Sequence, residues 1–274
     1  MIKRLLFIFL MVTTIPIVDA HTFDTSSQAV AATSPVTLSY TAGSNSTVLV
    51  VGLAINSLTA RAGGAPTYNG IPLTQANVTQ TAASEVAAEL WYLLNPPTGS
   101  AFTISVPNTG TFSIRVIAST YNASAGYSSA LDIAGGWTGS TANPSNSLTT
   151  TVNGDAIVDI MGNSKNTAET ANNQVLLFAN DEGNWNTAAQ YALQATAGAI
   201  TFTHTIAIPN DWGHIMAAFK EVDTSPPNVT SNTNNVFVSN RSLVTLNASI
   251  TDYLGGSGVK NATVNVSGIN TTIN

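Results

Sequence analysis

The chain has 274 residues, a formal net charge of −6, only 8 % charged side chains and no cysteine. Eight Lys and Arg, two of them at Lys3 and Arg4, are too few for a basic stripe, which argues against nucleic acid as a partner. Without disulfides an exported fold must rest on core packing alone, and that requires a domain well above miniprotein size.

Met1 to Arg4 is short and basic, Leu5 to Val18 is almost wholly apolar, and Val18-Asp19-Ala20 offers small residues for cleavage after Ala20. Residues 1–20 therefore read as a secretory signal peptide. The apolar run falls short of the ~20 residues that cross a hydrocarbon core, and no second run of that length follows. The expected location is extracellular or at the cell surface, with no integral membrane span after cleavage.

The strands are read in order. Val36 to Tyr40 is short, and Thr47 to Ile55 is a continuous apolar, β-branched run that suits a buried strand. Asn69-Gly70, between Thr67-Tyr68 and Ile71-Pro72-Leu73, predicts a hairpin because both central residues of a type I′ turn need positive φ. Glu89 to Leu94 reads as a core strand stopped by Asn95-Pro96-Pro97, followed by the alternating Phe102 to Val106 and Phe112 to Ala118. Tyr121 to Ser147, rich in Gly, Ser and Asn, is expected to cross between sheets. Leu148 to Val152 and Ala156 to Met161 flank a second turn at Asn153-Gly154, and Val175 to Ala179, Ala188 to Leu193, Ile200 to Ile208 and Trp212 to Phe219 complete the set. Many strands at hairpin spacing with no amphipathic helix predict an all-β, antiparallel sandwich of jelly-roll type over residues 21–222.

At Asp223 the composition shifts. Residues 223–230, with Pro226-Pro227, form a stiff linker, and residues 231–274 hold strand-like segments for about half of an immunoglobulin-like unit.

Nine sequons, at Asn45, Asn77, Asn122, Asn228, Asn240, Asn247, Asn261, Asn265 and Asn270, are glycosylation candidates crowded toward the C terminus. Nucleophile elbows, phosphate loops and His-Glu-x-x-His are absent from the sequence. The carboxylate pairs Glu85/Glu89 and Asp155/Asp159 each share a strand face, as any residues four apart must, so they carry little weight for glycoside hydrolysis. His21 stands at the expected new N terminus and is read as disordered. His204 falls in phase with Ile200, Phe202 and Ile206 and is read as a partly buried strand histidine, and a site built from His204, His214 and a carboxylate has no ligand spacing to support it. No cofactor is required; calcium is a candidate at Asp181 and Glu182, within Asp181-Glu-Gly-Asn-Trp-Asn186. Trp137, in Ala134-Gly-Gly-Trp-Thr-Gly139, and Trp185 are the candidate ligand-binding aromatics, each on a Gly-containing loop.

The ordered motifs Thr67-Tyr-Asn-Gly-Ile-Pro-Leu-Thr74, Glu89-Leu-Trp-Tyr-Leu-Leu-Asn-Pro-Pro97, Gly154-Asp-Ala-Ile-Val-Asp159 and Trp212 to Lys220 resemble an uncharacterised β-sandwich module of secreted microbial and phage-associated proteins, over Ser34 to Val222. Ser225 to Thr230 through Thr251 to Thr263 is similar to the immunoglobulin-like repeats of archaeal cell-surface proteins. Neither resemblance implies a catalytic residue. The sequence thus predicts a non-enzymatic structural or adhesive surface protein, its partners cell-surface glycans or other envelope proteins, with a carbohydrate-binding module as the alternative.

Overall fold

The computed structural model describes residues 20–56, 64–81, 86–108, 110, 112–164, 169–171, 173–182, 185–224, 228–231, 248–251, 262–266 and 269–273, with the backbone alone for 169–171, 180–182, 185 and the strands beyond residue 224. Every regular element among them is a β-strand, as the sequence predicts. The ladders are antiparallel throughout.

The first half contains β1 (Thr22–Ala31), β2 (Val36–Tyr40), β3 (Val48–Asn56), β4 (Thr67–Tyr68), β5 (Ile71–Pro72), β6 (Thr74–Gln80), β7 (Val86–Leu94), β8 (Phe102–Val106) and β9 (Ser113–Asn122). They form a five-stranded sheet in the order β1-β9-β3-β7-β6 and a four-stranded sheet in the order β2-β8-β4-β5. The hairpin at Asn69-Gly70 joins β4 to β5, with φ of 52° and 77° at the two turn residues.

The second half contains β10 (Tyr127–Gly139), β11 (Ser145–Thr149), β12 (Asp155–Asn163), β13 (Glu169–Ala171), β14 (Val175–Glu182), β15 (Trp185–Gln194), β16 (Ala199–Ile206) and β17 (Trp212–Asp223). Its sheets run β10-β17-β12-β15-β14 and β11-β16-β13. Replacing β1, β9, β3, β7 and β6 by β10, β17, β12, β15 and β14 reproduces the first large sheet, and β2-β8-β4 becomes β11-β16-β13. The fold is therefore two consecutive sandwiches with one winding, where the sequence reading has a single sandwich over 21–222. The stretch from Tyr121 to Ser147, expected to be a crossing loop, instead contains β10, which pairs along its length with β17. The Asn153-Gly154 turn carries the chain from one sheet to the other, since β11 pairs with β16 and β12 with β15 and β17.

The two large sheets pack on each other, so four layers stack: small sheet, large sheet, large sheet, small sheet. The outer gap of the first half holds Leu49, Val51, Leu53, Ile104, Ile114 and Val116. The middle gap holds Val48, Val50, Ala54, Ala88 and Ile117 against Ala156, Val158, Ile160, Ala189, Ala217 and Phe219. Strands in the two central layers are covered on both faces, which is why β3 reads as a continuous apolar run and every residue of β12 is buried. Small residues set the middle spacing: a Cβ on Gly52 would lie 2.9 Å from Ile160 Cδ1, and one on Gly162 would lie 3.2 Å from Ala54 Cβ.

His21 is buried, not disordered. Its Nδ1 lies 2.9 Å from the Gly154 carbonyl and its Nε2 2.9 Å from Ser129 Oγ, so the N-terminal end of β1 is fastened to the second sandwich. The expected 223–230 linker overlaps two strands, since β17 ends at Asp223 and β18 (Asn228–Ser231) pairs with β19 (Ala248–Thr251); β20 (Ala262–Val266) pairs with β21 (Ile269–Ile273).

Candidate functional site

The gap between the sheets of the second sandwich is apolar at both ends. Leu148, Ile157, Phe202, Met216 and Ala218 fill one end, and Met161, Ile206 and Trp212 the other. Between them sits a polar cluster. Alternation along β12 turns Ile157, Asp159 and Met161 to the same face, and the antiparallel register sets Asp159 opposite Gln190 of β15. β17 brings His214 alongside, and β16, from the facing small sheet, brings His204.

Both imidazoles converge on one oxygen. His204 Nε2 lies 2.6 Å and His214 Nε2 2.9 Å from Asp159 Oδ2, and all three residues are fully buried. The rings stand nearly perpendicular, at 79°, with centroids 5.0 Å apart. Asp159 Oδ1 is held separately by the Gln190 backbone N–H at 2.6 Å. The Gln190 side chain is itself fixed: its Nε2 donates to the Thr203 carbonyl at 3.2 Å, and its Oε1 accepts from the Gln174 N–H at 3.1 Å. On the far side, the Asn146 carboxamide meets His214 Nδ1 at 2.8 Å, and the Trp137 ring lies 5.9 Å from the His214 ring.

Burial by itself would raise the Asp159 pKa, but the two imidazoles, His204 first, outweigh it and hold the carboxyl below the ordinary carboxylate range. Burial lowers the His214 pKa against the pull of Asp159. A carboxylate and two imidazoles are a set of groups able to hold a cation, and their three ligand atoms lie within 4.8 Å of one another.

Trp137 is not on a loop. It lies in β10, partly buried against both apolar clusters, and Gly135 makes room for its ring, which a Cβ there would strike. Trp91 and Trp212 are core residues, as the sequence predicts. The calcium and tryptophan candidates Asp181, Glu182 and Trp185 lie in a tight hairpin, with Asp181 opposite Asn186 and Glu182 opposite Trp185; their side chains fall outside the described residues. Among the sequons, Asn45 is exposed in a turn, while Asn77 and Asn122 are half-buried in strands. Asn240, Asn247 and Asn261 lie outside the described residues, as do the side chains of Asn228, Asn265 and Asn270.

Glu85 also lies outside the described residues, whereas Glu89 accepts the Trp91 indole N–H at 2.6 Å. Asp155 and Asp159 share a face but serve different partners, Asp155 facing Asp132 and Lys220. The sequence singled out His204 and His214 without their carboxylate. The available signal was an ionisable residue inside an otherwise apolar strand, at Asp159, His204 and His214 alike.

Comparison with protein-family models, with curated proteins and with solved structures returns no match.

Proposed function

We propose that this chain is an exported, non-catalytic structural module of a cell surface, its stacked sandwiches acting as a spacer. The observation that carries this reading is where the reactive and aromatic side chains lie. Asp159, His204 and His214 are closed off from solvent, and Trp91, Trp137 and Trp212 are used in packing. A glycoside hydrolase needs two carboxyl groups facing one substrate, and a carbohydrate-binding face needs outward aromatic rings. Two further features favour export. His21, which is anchored to the second sandwich, is the residue that cleavage after Ala20 would leave at the N terminus, and the Asn45 sequon is exposed.

The test is a glycan-array and polysaccharide pull-down screen on the full chain, with Trp137→Ala and Trp185→Ala alongside. A folded protein without selective binding is the expected result. Selective binding that disappears in the Trp185→Ala protein would replace the spacer with a carbohydrate-binding module.

A further inference from the structure

The two sandwiches serve as controls for each other. Both close the same winding, yet the first surrounds its buried carboxylate, Glu89, with Leu49, Val51, Leu53, Ile104, Ile114 and Val116 and meets it with the Trp91 indole N–H, while the second gathers Asp159, Gln190, His204 and His214 inside its own. The winding therefore does not require two imidazoles converging on one carboxylate oxygen. Burying a carboxylate and two imidazoles is costly unless their charge and hydrogen bonding are met, so their convergence calls for a ligand chemistry that apolar packing does not supply.

Hydrogen bonding alone satisfies Asp159 and His214 but leaves one close contact at His204 mismatched. If His204 Nε2 donates its proton to Asp159 Oδ2, it turns a donor toward Gln190 Nε2, itself a donor 3.3 Å away. If it carries no proton, its lone pair points at a carboxylate oxygen 2.6 Å away. A cation between the three atoms removes the conflict, because each then directs a lone pair at positive charge. The outer contacts suit that arrangement. Gln190 N–H orients the carboxylate through Oδ1, leaving Oδ2 as the ligand. The Asn146 carboxamide, turned end for end, accepts the Nδ1 proton that His214 must carry when Nε2 binds a metal.

We propose that Asp159, His204 and His214 form a buried site for one divalent transition cation, zinc fitting best, which clasps the small sheet of the second sandwich to the large one. Two imidazoles and a carboxylate are a zinc donor set, whereas calcium and magnesium require shells built of oxygen. At zinc bond lengths of about 2.0–2.2 Å the ligand atoms of a tetrahedron stand roughly 3.3 Å apart. The two present contacts to Oδ2, at 2.6 and 2.9 Å, therefore open by roughly half an ångström on binding. His204 comes from one sheet and Asp159 and His214 from the other, so the bound ion fixes the spacing of the two layers. Three protein atoms leave the fourth position of the tetrahedron to one water molecule, which the apolar collars on either side would separate from bulk solvent.

The test uses the untagged full chain, which has only three histidines. After stripping with dipicolinate it is titrated with zinc sulfate, the bound metal is counted by mass spectrometry, and thermal melts are taken before and after. Cobalt substitution supplies the visible spectrum of the ligand field. The expected result is one zinc per chain, a melting temperature lowered by stripping and restored by zinc, and tetrahedral cobalt bands. His204→Gln should weaken binding by roughly 100-fold or more and abolish the bands, while His21→Gln keeps them. If the stripped protein takes up no stoichiometric zinc and its melt ignores both chelator and metal, the proposal is wrong. That outcome needs only the native chain, so it stands even where a variant fails to fold. Zinc uptake that survives in a folded His204→Gln protein would equally overturn the assignment.

Discussion

Gly52 lies against Ile160 of the facing central sheet, and its replacement by Ala tests whether the two sandwiches stack back to back. A Cβ there would sit 2.9 Å from Ile160 Cδ1, with Ile160 Cβ and Cγ2 at 3.4 and 3.5 Å. Overpacking of this kind costs about 1–3 kcal/mol, whereas the lower chain entropy of Ala in the unfolded state returns only about 0.4–1 kcal/mol. The clash wins, and Gly52→Ala should destabilise by about 1–2 kcal/mol. Ile160→Val deletes Cδ1 and by itself costs about 0.5–1.5 kcal/mol. In the double variant the nearest remaining atoms are at ordinary contact distance, so the penalty of the alanine should vanish, a favourable coupling of about 1–2 kcal/mol. Urea unfolding followed by tryptophan fluorescence reads this as a double variant no less stable than Ile160→Val, provided the slopes agree. Effects that add to within about 0.5 kcal/mol would mean that β3 and β12 do not touch, and the four-layer stack would be wrong.

Other predictions concern different layers. Burial, and then the charge of Asp132, raise the Asp155 carboxyl from 3.8 to about 7. Asp132 stays below its usual range although burial opposes this, because the Thr151 N–H and hydroxyl and the Lys220 ammonium favour its charge. A raised folded pKa means that the folded state holds the proton more tightly. The destabilisation from Asp155 therefore begins near pH 4, grows as the pH climbs to about 7 and is constant above that. Asp155→Asn should accordingly stabilise the protein by about 1–3 kcal/mol more at about pH 8 than at about pH 5, as read from paired thermal melts; a gain independent of pH would contradict the shift. Trp137→Ala should lose about 2–3 kcal/mol by emptying ring volume between the two apolar clusters, again by thermal melt, and an unchanged melt would place the ring outside the packing. His21→Ala removes both imidazole contacts to the second sandwich and should cost about 1–2 kcal/mol. Amide exchange along β1 should quicken in that variant; unchanged protection would show that His21 is not a fastener.

What the sequence disclosed depends on how local the cause is. The Asn69-Gly70 hairpin and the continuous apolar strand β3 were legible because positive φ and two-sided burial leave a mark within a few residues. β1 and β10 were not, because Thr22 to Ala31 and Tyr127 to Gly139 carry few large apolar side chains and are specified by pairing with β9 and β17, far along the chain. The glycines of β10 suggest a loop, yet Gly135 and Gly139 serve to admit the rings of Trp137 and Trp212. The repeated winding is equally hidden, since the two halves fill equivalent interiors with different chemistry. Asp159 and His204 meet only because β12 and β16 lie in facing sheets, a relation no spacing in the sequence encodes.

The most direct test of the surface role is to express the full chain in an exporting host and apply protease to intact cells, with the released N terminus read by mass spectrometry. Processing after Ala20, leaving His21 first, together with susceptibility at the outer surface is the predicted result. An intracellular, protease-shielded chain that retains residues 1–20 would contradict it.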